Sequence, residues 1–130
     1  NDMLIQALEV SVAKRLTLLE AEQETAGYDH ALIGMTLAEE WQLPTEIATG
    51  IGYHPDPIQA PVATSRLSRV LHVANACCQK NNIGYCDAPV QDEVMLTRCI
   101  QDLDIEPHAL ELIMEDVQEK IAEMESEGLL

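Results

Sequence analysis

His30 and His54 are the residues whose type and spacing could do chemistry: imidazole can ligate a metal, move a proton or cap a carbonyl, and each histidine falls at the end of a short helical pattern. The stretch that holds them, residues 27–57, also carries the single tryptophan of the chain. Gly27 and Asp29 read as a helix stop followed by an N-cap. A helix from His30 to Trp41 is expected next, with His30, Gly34, Leu37 and Trp41 on one inward stripe and Trp41 buried. Gln42-Leu43 is the connector. Pro44 suits the first position of a second helix, Thr45 to His54, which Pro55 and Pro57 stop and which turns Ile47, Gly50, Ile51 and His54 inward. So short a connector favours an antiparallel pair, and this brings the start of one helix beside the end of the other. His30 and His54 are thus expected to approach each other. They form either a two-histidine site or two core or cap histidines, each satisfied by a backbone carbonyl, and residue statistics favour the second reading.

The elements around this hairpin read as helical as well. From Met3 to Thr25 the apolar residues Ile5, Leu8, Val12, Leu16 and Leu19 recur at three and four, which predicts one long amphipathic helix. Glu20, Glu22 and Glu24 near its end oppose the helix dipole. They are expected to form a solvated face unless one of them turns inward with a role. A proline-containing connector, residues 58–64, leads to a helix from Ser65 to Lys80 with Leu67, Val70, Leu71, Ala74, Cys77 and Cys78 inward. His72 and Asn75 lie on the flank of that stripe and read first as surface polar residues. Asp87 can cap a helix from Pro89 to Leu103 that includes Val90, Val94 and Ile100 among its apolar positions. Pro107 opens a last helix whose Leu110, Met114, Val117, Ile121 and Met124 follow four-three spacing. Two heptads are too few for a coiled coil, so packing on the same core is preferred over a dimer seam. The expectation is an all-α bundle of about six helices with no sheet, residues 1–86 forming the core and residues 87–130 a C-terminal helical pair packed on it.

Composition narrows the function classes. Seven basic residues against 23 acidic ones give a formal charge of −16, which repels nucleic acid and anionic lipid. No apolar run is long enough to span a membrane and no basic-then-apolar leader is present, so the expected location is the cytoplasm. Cys77 and Cys78 are adjacent, Cys86 and Cys99 stand apart, and no CxxC occurs. Reduced, buried thiols are therefore expected in place of a zinc knuckle or redox motif.

One spacing pattern is more specific. Glu22, Gly27, His30, Gly34, Trp41, Leu43-Pro44, His54-Pro55-Asp56-Pro57 and Val73-Ala74-Asn75 together resemble the later half of the HDOD domain, the HD-related output domain of bacterial signalling proteins. The resemblance implies an HD-domain-like helical bundle related to the HD and HD-GYP metal-dependent phosphohydrolases. By that resemblance His30 and His54 fall where extra metal-binding histidines would be, Asn75 falls where the last aspartate would be, and the His-Asp doublet would lie upstream of Asn1. A hydrolytic metal pair needs carboxylates to offset its charge, and a neutral amide cannot replace one. The resemblance therefore implies a non-catalytic output or interaction module with protein partners and no cofactor or metal; if a metal is held, His30 and His54 are its ligands. The alternatives are an HD-type phosphohydrolase acting on a phosphomonoester or nucleotide and a helical dimerisation adaptor. The chain is also expected to be a fragment lacking the family's first helices, or a short variant of it, and to self-associate as a homodimer through its first helix or the Leu110–Met124 seam.

Overall fold

The computed structural model describes residues 2–84 and 92–129. Among them are seven α-helices, one short 3-10 turn and no strand. They are α1 (Asp2–Lys14), α2 (Leu18–Ala26), α3 (His30–Glu40), α4 (Thr45–Tyr53), the 3-10 turn Val62–Thr64, α5 (Ser65–Lys80), α6 (Glu93–Asp102) and α7 (Pro107–Ser126). In chain order α1 packs on α2, α3 on α4, α4 on α5 and α5 on α6.

The long first helix of the sequence reading is two helices. Arg15 takes a left-handed conformation, φ 56°, and Leu16 N–H donates back to the Ser11 carbonyl at 3.1 Å, which closes α1 with a tight C-terminal turn. Thr17 then opens α2 through a capping box: its hydroxyl accepts from Glu20 N–H, and the Glu20 carboxylate accepts from Thr17 N–H at 2.8 Å. Gly27, at φ 78°, stops α2, and the Asp29 carboxylate caps α3 by accepting from Leu32 N–H, as the sequence implies.

The inward faces are built from smaller residues than the apolar periodicity suggests. Ala31 and Ala38 are the buried residues of α3, while Trp41 is 69% exposed and Leu37 is also outside. The inward stripe through Trp41 is therefore overturned. The reason is close helix packing: a Cβ placed on Gly34 would lie 2.6 Å from Ile51 Cγ2, and one on Gly50 would lie 2.8 Å from Leu67 Cγ. Helices this near bury alanine, serine and glycine and turn larger side chains aside. α4 buries Ala48, Thr49 and Gly50 and leaves Ile47 exposed. On α5 the buried residues are Ser65, Ser68, His72, Val73 and Ala76, a face rotated from the expected one, so that Val70 and Ala74 are exposed. In α1, Ala7 and Ser11 are buried while Ile5 and Val12 face out.

A second cluster joins Val73 and Ala76 of α5 to Leu96, Cys99 and Leu103 in and after α6, with Ile105 and Leu110 against it. Asp92 caps α6, and Val94, read as apolar core, is exposed. The expected cap Asp87, the start at Pro89, Val90 and Cys86 lie outside the described residues. α7 begins at Pro107 as expected and contains no buried residue; Leu110, Met114, Val117 and Ile121 are half-buried and Met124 is exposed.

Gly34→Ala tests the close approach. Alanine gains about 1 kcal/mol of helix propensity, whereas overpacking against the branched Ile51 costs about 1–3 kcal/mol. The expected result is a lower urea midpoint for the variant; a higher midpoint would mean that α3 and α4 are less closely packed than described.

Candidate functional site

The turn between α2 and α3 and the end of α4 hold the chemistry-bearing residues. Glu22 lies on the last turns of α2, and its side chain is the one of the three glutamates that turns inward. One carboxylate oxygen, Oε2, accepts the backbone N–H of His30 at 2.9 Å and lies 2.6 Å from His30 Nδ1. Glu20 belongs to the capping box, and Glu24 pairs with Lys14. The Glu22 contact orients the His30 ring so that its other nitrogen, Nε2, faces His54 Nε2 at 3.4 Å. The ring centroids are 5.4 Å apart and the planes are tilted by 44°, so the rings are not stacked.

His54 closes α4 and is held from the other side. Its Nδ1 lies 2.7 Å from the Ile51 carbonyl oxygen, and its own carbonyl accepts from His72 Nδ1 at 2.9 Å. The two rings approach each other as expected, and His54 is also satisfied by a carbonyl. A carbonyl only accepts, so His54 Nδ1 must carry a proton; His30 Nδ1 likewise donates to the oxygen that already accepts its own N–H. In the neutral rings both Nε2 atoms are then bare acceptors, directed at each other.

His72, expected on the surface, is buried. It is 8% exposed, and its Nε2, the acceptor once Nδ1 donates to His54, is buried with no partner among the described residues. An unpaired buried acceptor costs about 1–3 kcal/mol, so the His54–His72 contact is held by the packing of α4 on α5. Its position seven residues after Ser65, on the same face as Ser68, is the signal that could have placed it inside. Asn75 is exposed and stands outside this line of polar contacts, and Asp56 is exposed beyond it. Gly27 and Gly34 serve the turn and the close packing, Pro44 precedes α4, and Trp41 lies at the far end of α3.

Charge follows burial. Burial disfavours the charged imidazolium of His54 and, with His30 and His72 nearby, pushes its pKa below the ordinary 6.5, although the Ile51 carbonyl and Asp29 act the other way. Burial acts to raise the Asp29 carboxyl, but the Leu32 N–H, the Gln23 amide and His30 outweigh it and hold its pKa below the usual value. No group of three or more histidine, cysteine or acidic side chains converges in metal-ligand fashion among the described residues.

The model of the HDOD domain family matches residues 1–57, a span that contains Glu22, Gly27, His30, Gly34, Trp41, Pro44, His54 and Asp56. Over residues 1–57 the chain is thus similar to the HDOD family. The match starts before the resemblance read from Glu22 onward and ends short of Asn75. A crystal structure of an HDOD domain protein with unknown function from Geobacter sulfurreducens has the same fold, with a TM-score of 0.67 and 20% identity, over 96% of this chain and 45% of that one. The chain therefore spans a little under half the length of that protein. No curated protein matches it.

The lowered pKa of His54 sets a sign for pH dependence. The unfolded chain takes up the proton at the ordinary value and the folded chain does so only at lower pH, so stability is fully present above about 6.5 and is lost as pH falls toward the depressed value. Urea midpoints measured from pH 7.5 to 5 are expected to fall in the wild type, with a smaller part of that fall in His54→Asn. An equal fall in both would remove His54 as its source.

Proposed function

We propose that this chain is part of a non-catalytic interaction module of bacterial signal transduction, acting in the cytoplasm through contacts with other proteins. The observation that carries the reading is the outer face of α3. Ile33, Leu37 and Trp41 follow one another at four-residue steps and are 42%, 39% and 69% exposed. An exposed aromatic in an apolar line is the composition of a protein-contact anchor, since tryptophan supplies large area at low entropy cost. Glu40 shares that face and the chain carries a net charge of −16, so charge favours a partner with basic residues around an apolar strip and opposes a second copy of this chain.

The donor set supports the absence of hydrolysis. Glu22 is turned to His30 Nδ1 instead of to the facing Nε2 atoms, and Asn75 lies outside on α5. A phosphohydrolase of the HD type would require carboxylates around its metal ions, and these histidines have none directed between them. No helix among the described residues is long and apolar enough to cross a membrane.

A photoreactive side chain at position 37 is expected to crosslink a protein partner in bacterial cells. Trp41→Glu should reduce that crosslink by about tenfold or more, as loss of an anchor does, while shifting stability by no more than about 0.5 kcal/mol. Hydrolysis of a phosphomonoester or nucleotide by the purified chain, abolished in His30→Ala and His54→Ala and untouched by Trp41→Glu, would replace this reading with the hydrolase.

A further inference from the structure

The helix α1 has two unlike faces. Ala7 and Ser11 are buried where it packs on α2, whereas Leu4, Ile5 and Val12 on the other side are each more than half exposed, and Leu8 beside them is half-buried. Ile5, Leu8 and Val12 follow three-four spacing, the seam pattern of a helix that packs on another helix, and Leu4 widens this face one turn before Leu8. A contiguous apolar face of this kind is a contact surface.

Charge selects the occupant. Residues 1–16 hold two acidic residues, Asp2 and Glu9, against two basic ones, Lys14 and Arg15, and are neutral as a segment. The rest of the chain holds the other 21 acidic and five basic residues, so the whole −16 lies beyond α1. The repulsion that opposes a second copy at α3 is thus weakest at α1, and at 0.15 M salt charges more than about 8 Å away are largely screened. The charges are also ordered, because an acidic residue opens α1 and Lys14 and Arg15 close it. Two copies running antiparallel set the basic end of each helix beside the acidic start of the other and oppose the helix dipoles, whereas a parallel pair would join like ends. The three-four seam of α7 is unsuited on both counts. That helix carries six acidic residues against Lys120, and its stripe faces its own chain: Leu110 lies on the α5–α6 cluster, and Gln118 Nε2 donates to Asn81 Oδ1 at 3.0 Å. We propose that the outer face of α1 is a self-association surface. A second copy of this chain packs on it antiparallel, about a two-fold axis near Leu8, with Ile5 of each copy beside Val12 of the other. The two α1–α2 pairs then form a four-helix arrangement. This surface is distinct from the α3 strip, and the inference goes beyond the function proposed for that strip.

Sedimentation equilibrium of the whole chain at about 0.15 M salt, over loadings from about 5 to 500 μM, tests this. The expected result is a monomer–dimer equilibrium within that range, since a contact made by one helix lies at the small end of specific interfaces. Ile5→Glu and Val12→Glu, at positions exposed in the single chain, should each weaken it at least about tenfold with helical circular dichroism retained. Arg15→Glu should weaken it about two- to fivefold, as loss of an exposed charge pair does. Ile113→Glu on α7 and Trp41→Glu on α3 should leave it unchanged. Mild oxidation of cysteine variants reads the orientation without relying on the charged variants. Leu8→Cys is expected to form a disulfide with its own copy above the wild-type background. Val12→Cys is not, because antiparallel packing sets the two copies of residue 12 about 12 Å apart along the helix axis. A monomer throughout, unchanged dimerisation in the folded Ile5→Glu/Val12→Glu double variant, or loss of the dimer in Trp41→Glu would overturn the proposal. A Val12→Cys disulfide as strong as that of Leu8→Cys would overturn the antiparallel arrangement.

Discussion

The oxygen of Glu22 that takes both the backbone N–H and the ring Nδ1 of His30 is the contact on which the site depends. It ties the end of α2 to the first residue of α3 and holds the His30 ring with its Nε2 facing His54. From there the line passes through the His54 carbonyl to His72 on α5, so four helices meet along one chain of polar contacts. Such a line through a bundle is stable only where each element is fixed by packing of its own, and the close approaches at Gly34 and Gly50 supply that.

Most of the fold was legible because helix ends carry chemistry that does not depend on tertiary structure. Gly27, Asp29, Pro44 and Pro107 marked boundaries that the structure keeps. The Thr17–Glu20 capping box was equally visible, but the continuous apolar spacing from Ile5 to Leu19 masked it, and one helix was read where there are two. The meeting of His30 and His54 followed from the length of the hairpin and the shortness of its connector. That the inward faces consist of alanine, serine and glycine did not follow, because hydrophobic periodicity points to the largest apolar residues. Where helix axes come close, those residues have no room. Trp41 is the sharpest case: its spacing from His30 and Gly34 suggested burial, yet α4 lies over Gly34 and leaves the C-terminal end of α3 facing outward.

His72 shows a related effect from the opposite side. A histidine beside leucine and valine reads as a flank residue, and its burial depends on α4 ending where its last carbonyl can accept from it. That acceptor belongs to a residue 18 positions away, so no local pattern announces it. The polar line runs from Glu22 to the buried His72, whereas the apolar strip on α3 is exposed, and the segment that the HDOD model matches holds the strip and the line only as far as His54.

Both imidazoles direct bare Nε2 atoms toward each other, and nitrogen-15 NMR of the histidine side chains reads this directly. Spectra of the metal-free chain taken well above the ordinary imidazole range, where both rings are neutral, should show His30 and His54 with the proton on Nδ1 and none on Nε2. A proton on Nε2 of either ring would contradict the account, since the Glu22 and Ile51 contacts could not then be made by that ring as described.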